Sequence, residues 1–97
     1  MEEFGLTLRQ LDSDLRKERE VEAGVLVSNV ERFSIAQERN IVPGDIIVEA
    51  DRKPVKNIDD FKSIIESKKP GDALMIRVKG TNGNYRFVAL SIPKETS

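Results

Sequence analysis

A chain of 97 residues, 38% of them apolar and 34% charged, is long enough for one modest hydrophobic core. Its 16 basic and 17 acidic side chains nearly cancel, so nothing in the composition indicates a basic surface for nucleic acid or an anionic membrane. Because the chain has neither cysteine nor histidine, it excludes disulfides, thiol nucleophiles, metal sites built on these residues and a Ser-His-Asp triad within the chain.

The first part of the chain alternates predicted strands with short helices. Leu6 and Leu8 alternate with polar residues after Gly5, which is typical of a half-buried strand. Ser34 is a good N-cap for a short helix. The predicted elements are a strand over 6–10, a charged short helix or loop over 15–20, a strand over 24–30 and a helix over 35–39.

The segment over residues 40–51 has the strongest turn chemistry. Asn40 tolerates the left-handed conformation that commonly ends a helix. Pro43 and Gly44 suit the two corners of a turn, and Asp45 can accept a hydrogen bond from the turn's backbone. The β-branched run over 46–48 predicts a buried strand, and a second turn is predicted over 52–54.

A long amphipathic helix is predicted over residues 58–68. Asn57 is a good N-cap with an acidic residue three positions later, and Pro70-Gly71 ends the helix. Its apolar stripe at helical spacing consists of Ile58, Phe61, Ile64 and Ile65.

The last two predicted strands cover residues 73–79 and 85–92. Between them lies Asn82-Gly83, the strongest short-range signal for a β-hairpin. The element order therefore predicts an α+β fold: a partly open antiparallel β-sandwich or barrel of five to six strands, with one long and one or two short helices. We expect a single domain over residues 1–97, with a frayed tail over 93–97.

No catalytic constellation, metal site or cofactor motif is predicted. Asp59 and Asp60 are adjacent carboxylates, but both lie where helix N-termini favour acids. Gly80 and Gly83 flank a hairpin and do not form a phosphate-binding loop between a strand and a helix. We therefore expect no enzyme activity, no metal and no cofactor in this chain.

Nearly the whole chain, residues 3–92, resembles a PDZ domain of the bacterial HtrA/Deg-type (protease Do-like) serine proteases. The sequence departs from that family's pattern at Asn40, where Gly is usual, at Ile35, where Pro is frequent, and in the charged segment over 15–22. The residues that carry the resemblance are Phe4, Gly5, Leu6, Ser34, Ala36, Ile41, Pro43, Gly44, Asp45, Ile46, Ile47, Asp51, Val55, Asp60, Phe61, Pro70, Gly71 and Asp72.

This resemblance implies a module that captures C-terminal or extended hydrophobic peptide segments by strand addition. It would recruit substrate to, or regulate, a parent serine protease of the bacterial periplasm or cell envelope. Its partners would be unfolded-protein or C-terminal peptides and the protease domain of the parent chain, which forms homo-oligomers in this family. Neither nucleic-acid binding nor membrane insertion is implied.

The predicted site has three parts. A carboxylate-binding loop comprises Glu3, Phe4, Gly5 and Leu6. A peptide-pairing strand comprises Leu6, Thr7, Leu8 and Arg9. A groove-forming helix contributes Phe61, Ile64, Ile65 and Lys68.

Each part also has a simpler interpretation. Gly5 suits a loop whose N–H groups converge on a carboxylate, or an ordinary strand entry. Core packing explains Ile58 and Ile65, whereas Ile64 could be core or pocket wall. Arg9 and Lys68 are candidate cations or surface residues. Because the predicted walls are apolar, we expect a hydrophobic C-terminal residue in the ligand.

Two other function classes remain open. The domain could be a structural module that mediates subunit contacts and has no selective peptide ligand. An enzyme in its own right would need a catalytic constellation that the sequence does not contain. Titration with a random library of C-terminal peptides separates the peptide-binding module from the structural module, which should select no motif.

Overall fold

The computed structural model describes residues 2–93; residues 94–97 of the predicted tail lie outside this range. Within it, an antiparallel sheet has the strand order β1-β2-β3-β4-β6-β7, with β5 paired to β4. This confirms the predicted α+β class. The elements are β1 (Glu2–Glu3), β2 (Leu6–Gln10), α1 (Ser13–Arg19), β3 (Val25–Val30), α2 (Ile35–Glu38), β4 (Ile46–Ala50), β5 (Lys53–Pro54), α3 (Ile58–Glu66), β6 (Ala73–Lys79) and β7 (Tyr85–Ser91).

The longest ladder joins β6 to β7, from Ala73 opposite Ser91 to Lys79 opposite Tyr85. The hairpin loop is closed by the Gly80 N–H, which donates to the Asn84 carbonyl at 2.8 Å. Alternation along these strands directs one set of side chains into the core. The buried members are Leu74, Ile76, Val78, Val88 and Leu90.

The core lies between the sheet and the inner face of α3. Phe61 is fully buried at its centre. Burying such a side chain contributes about 1.5–3 kcal/mol, so this cluster supplies most of the stabilisation. Its other large members are Leu6, Leu8, Val25, Val27, Ile41, Ile47, Val55 and Ile64.

Most of the unusually charged segment lies in helix α1, which packs through polar contacts. None of its residues is buried, and polar groups hold it in place. The Arg19 guanidinium donates to the carbonyls of Gly44 at 2.7 Å and Gly80 at 3.2 Å. The Lys79 ammonium donates to the carbonyls of Arg19 at 2.7 Å and Glu20 at 3.1 Å, so a cation sits at the negative end of the helix.

The turn before β4 is satisfied internally. Asn40 has φ +63°, as predicted for the end of α2. The buried Asp45 carboxylate accepts from the Val42 N–H at 3.1 Å, as predicted, and also from the Arg86 guanidinium at 2.9 Å. The same guanidinium donates to the Asn40 carbonyl at 3.0 Å. Arg86 thus ties β7 to this turn.

The turn after β4 differs from the prediction over residues 52–54, which was wrong. Asp51 (φ +54°) and Arg52 (φ +67°) form the turn, and Lys53–Pro54 form β5, paired with Glu49 and Ala50. Two-residue hairpin turns usually place Gly or Asn at such positions, so the sequence carries no signal for this one.

Helix α3 begins as predicted and ends two residues early. The Asn57 side chain accepts from the Asp60 N–H at 2.8 Å, and the Asp60 carboxylate accepts from the Lys56 N–H at 3.0 Å. At the other end, the Ser67 hydroxyl donates to the Ile64 carbonyl at 2.7 Å. None of the helices in the described range has the length and apolar character needed to cross a membrane.

Candidate functional site

The predicted carboxylate-binding loop is the turn between β1 and β2. Glu3 pairs with Leu6, which leaves Phe4 (φ +57°) and Gly5 (φ +82°) as the two turn residues. A Cβ on Gly5 would lie 2.2 Å from the Cβ of Ser34, a distance at which something must move. Only glycine fits this position, so Gly5 is more than an ordinary strand entry.

The two turn carbonyls are fixed by residues 31–36, which run from the end of β3 into α2. The Gly5 carbonyl accepts from the Glu31 N–H at 2.8 Å, and the Phe4 carbonyl accepts from the Ala36 N–H at 3.3 Å. The turn is therefore anchored to the start of α2 through its acceptors, and its N–H groups are the polar groups available to an anion.

Strand β2, the predicted peptide-pairing strand, pairs with a neighbouring strand along the whole of one edge and along only part of the other. One edge pairs with β3 along the whole strand. On the other edge, β1 pairs only with Leu6 and Thr7. Within residues 2–93, no strand pairs with residues 8–10 on that edge, which is the kind of unpaired row of N–H and C=O groups that accepts an added strand.

The amino end of α3 lies beside this open edge. The Gln10 side-chain oxygen accepts from the Ile58 N–H at 3.0 Å, which joins the end of β2 to the first residue of the helix. The strand and the helix are therefore held together at one end, with the open edge of residues 8–10 next to them.

Apolar side chains of the loop and strand point into the core. Phe4, Leu6 and Leu8 are only 6%, 0% and 3% exposed. These are the residues predicted to line the pocket for the ligand's last side chain. Because they are buried, a ligand side chain that entered there would have to part them.

The apolar residues of α3 differ in how deeply they are buried. Ile64 is 6% exposed and belongs to the core. It also lines a depression of about 390 Å³ whose remaining walls come from β5, Lys56 and α3, with no residue of β2. Ile58 and Ile65 are the half-buried pair, and they share a face because they are seven residues apart. Ile64 is therefore a core residue, one of the two roles expected for it, whereas Ile58 and Ile65, expected in the core, pack against it but stay partly exposed.

The two predicted cations differ in their surroundings. The Lys68 ammonium is 3.4 Å from the Asp51 carboxylate in the turn between β4 and β5. Arg9 is exposed on β2, opposite Leu26 of β3. Of the two, Arg9 is the one placed on the peptide-pairing strand.

Sequence reasoning missed one exposed residue beside the loop. Phe33 precedes the N-cap Ser34 and is 89% exposed. An aromatic residue within the polar turn over residues 31–34 was the available signal. The described residues also contain no group of three or more carboxylates placed to hold a metal ion.

A family model described as PDZ domain matches residues 3–87. The chain belongs to the PDZ domain family. This confirms the family that the sequence resembles, and it accounts for the arrangement of β2, α3 and the loop before β2.

Known proteins similar to this PDZ domain are HtrA-type proteases. A probable periplasmic serine endoprotease DegP-like of Bartonella henselae is 33% identical over 97 residues, which cover 98% of this chain. The chain spans only 18% of that relative's length.

Two solved structures share the fold. The HtrA3 PDZ domain bound to a phage-derived ligand, FGRWV, has a TM-score of 0.78 and 24% identity, covering 94% of this chain and 84% of that one. The HtrA-type protease AlgW with a decapeptide has a TM-score of 0.74 and 21% identity, covering 98% of this chain and 30% of that one.

Proposed function

We propose that this PDZ domain binds extended apolar peptide segments, protein C-termini included, by adding them as a strand to β2. It thereby recruits substrate to, or regulates, a serine protease of which it is a part. The observation that carries this proposal is the unpaired edge over residues 8–10 beside α3.

Main-chain hydrogen bonds to that edge provide affinity without regard to sequence, and the side-chain pockets provide selectivity. A ligand whose C-terminus reaches the turn at Phe4 and Gly5 would use the same edge of Leu6 and Thr7 that β1 uses. Such a ligand therefore displaces β1, whereas an internal segment can pair with residues 8–10 alone.

The pocket for the last side chain is apolar. Its floor would be Phe4, Leu6 and Leu8, and its helix wall Ile65. Ile65 is only partly buried, so it can move with little loss of core packing. A charged ligand residue would be desolvated there without a partner, which is unfavourable.

The similar proteins support this proposal. The HtrA3 PDZ domain was solved with a peptide ligand and AlgW with a decapeptide. The Bartonella relative is named a periplasmic serine endoprotease. We therefore place this domain in the bacterial periplasm, within a protease of the same type.

Titration with fluorescent peptides tests the proposal. FGRWV is a suitable first probe, compared with FGRWD and with the C-terminal amide of FGRWV. We expect FGRWV to bind at least about tenfold more tightly than FGRWD, because the buried aspartate would lack a partner. Equal affinity for the two peptides, or no binding of any of them, would contradict the proposal.

A pair of helix variants locates the groove. Ile65→Gln places a polar amide at the proposed wall, and Ser63→Gln adds the same side chain on the flank that faces β5. We expect Ile65→Gln to weaken FGRWV binding about tenfold and Ser63→Gln to leave it within about twofold, because only the first lies in the groove. The reverse pattern would place the ligand on the β5 side.

A second candidate, a subunit-contact module, is favoured by the outer face of β6 and β7. Met75, Tyr85 and Phe87 are 47%, 44% and 67% exposed. They share one face by strand alternation, and Met75 and Phe87 line a groove of about 710 Å³ with two acidic and two basic side chains. A mixed-charge apolar surface of this kind fits another copy of itself.

Sedimentation equilibrium tests this second candidate. Self-association should be lost in Phe87→Ser and kept in Phe33→Ser, since both remove an exposed phenylalanine but only Phe87 lies on the β6–β7 face. A monomer at millimolar concentration would exclude the candidate.

A further inference from the structure

Phe33 combines two unfavourable features. Its φ of +61° lies in the left-handed region. Glycine and asparagine adopt this conformation readily, whereas bulky residues rarely do. Its side chain is also 89% exposed, so it gains almost none of the stabilisation that burial of a phenylalanine provides. A strained residue with no packing role is a reason to look for a function.

The backbone around Phe33 is held by its neighbours' side chains. The Phe33 N–H donates to the Gln37 side-chain oxygen at 2.7 Å. The Ser34 hydroxyl donates to the Glu31 carbonyl at 2.7 Å and accepts from the Gln37 N–H at 3.2 Å. These bonds fix the direction of the chain without using the ring.

Phe33 stands directly beside the proposed carboxylate-binding turn. Its neighbour Ser34 approaches Gly5 so closely that a Cβ there would be 2.2 Å from the Ser34 Cβ. Because consecutive Cα atoms are about 3.8 Å apart, the Cα atoms of Phe33 and Gly5 lie within about 9 Å of each other. Glu31, two residues earlier, is hydrogen-bonded to the Gly5 carbonyl.

We propose that Phe33 is a specificity-determining residue, whose ring contacts an aromatic penultimate residue of a peptide that ends at the turn of Phe4 and Gly5. This inference rests on the proposed function. Successive side chains of an added strand point to opposite sides. When the last side chain enters the apolar floor, the penultimate one faces outward, where the exposed ring of Phe33 is available.

An aromatic penultimate residue suits this position. Aromatic rings prefer offset or edge-to-face contact with one another, and the backbone that carries Phe33 is held in place by its own hydrogen bonds. Phe33 therefore adds selectivity for a ligand position that the groove between β2 and α3 does not reach.

A double-mutant cycle between protein and peptide tests this directly. The protein variants are the wild type and Phe33→Gly, and the peptides are FGRWV and FGRAV. We expect the wild type to bind FGRWV about three- to tenfold more tightly than FGRAV, and Phe33→Gly to bind the two peptides equally within about twofold. Since glycine accepts φ +61°, this variant should also unfold at the same or a higher temperature.

Three controls separate a contact from a structural effect. Phe33→Tyr should keep the preference for FGRWV, and Phe87→Ser, which removes an exposed phenylalanine from β7, should keep it too. The peptide AGRWV, altered at its far end, should show no dependence on Phe33.

The outcomes distinguish this inference from the proposed function. If the wild type binds none of the peptides, both fail. If it binds FGRWV but Phe33→Gly keeps the preference over FGRAV, or loses affinity for both peptides equally, the inference is overturned and the proposed function stands. A wild type that binds FGRWV and FGRAV equally also overturns the inference alone.

Discussion

Two tight turns, each with a glycine at positive φ, use their polar groups differently. At Gly44 (φ +100°) the N–H donates to the Val27 carbonyl at 2.8 Å, and the carbonyl accepts from Arg19. The next residue, Asp45, is 1% exposed and paired with Arg86. Every one of these groups bonds within the domain.

At Gly5 (φ +82°) the two turn carbonyls are likewise bonded, but the strand that follows is paired on its outer edge only at Leu6 and Thr7. The turn at Gly44 therefore stabilises the fold, whereas the turn at Gly5 leads into a strand whose outer edge is incompletely paired. In this PDZ domain, the segment with the strongest sequence signal is not the segment proposed to bind.

The largest expected effect on stability comes from a substitution in the turn at Gly5. Gly5→Ala should lower the free energy of unfolding by about 3 kcal/mol, through the clash with Ser34 and the positive φ. Gly83→Ala, at φ +86° with no atom within 4 Å of the new Cβ, should lower it by only about 1 kcal/mol. Urea denaturation measures both, and equal losses would show that the contact with Ser34 is unimportant.

The expected loss of stability limits the use of Gly5 variants as a test of the proposed carboxylate-binding turn. Because Gly5 variants lose stability, a loss of peptide binding in them would not identify the carboxylate-binding turn. Variants of Phe33 and Ile65 should lose less stability than Gly5 variants, because Phe33 is exposed and Ile65 is half-buried. A loss of peptide binding in them can therefore be assigned to the binding site.

The next largest effect on stability is expected at Asp45, in the turn at Gly44. Asp45→Ala removes the partner of Arg86 and the acceptor of the Val42 N–H. We expect a loss of about 2–3 kcal/mol, below that of a fully buried pair because Arg86 is partly hydrated. Peptide affinity of the folded protein should not change. Asp45→Asn keeps the acceptor and should lose less; a loss as large as that of Asp45→Ala would show that charge, and not hydrogen bonding, dominates.

A smaller effect is expected where α1 is anchored. Lys79→Met keeps the apolar stem and removes the ammonium that bonds the carbonyls of Arg19 and Glu20. We expect unfolding free energy to fall by about 1–2 kcal/mol. Amide hydrogen exchange in α1 should accelerate while that in α3 does not; uniform acceleration would contradict a local role.

The sequence predicted the elements well because their signals are local. The Ser34 and Asn57 caps, the left-handed Asn40 and the Asn82-Gly83 hairpin all depend on residues within a few positions of each other. The order of these elements was enough to predict the antiparallel α+β architecture.

What could not be predicted depends on contacts between distant residues. The stripe of α3 shows which residues are apolar but not that Ile64 is buried at the bottom of a depression whose opposite wall is β5. The turn at Asp51 and Arg52 lacks glycine and is held by Lys68 and the Met75 carbonyl. The exposure of Phe33 likewise follows from how residues 31–34 pack against the turn of Gly5.

The most direct test of the account is amide hydrogen exchange by NMR, residue by residue, with and without saturating FGRWV. The account predicts that amides of β2, those of residues 8–10 included, gain protection along with those of the turn at Phe4 and Gly5. Amides of β7 and of the turn at Gly44 should not change. Protection confined to β7, with none in β2, would contradict strand addition to β2.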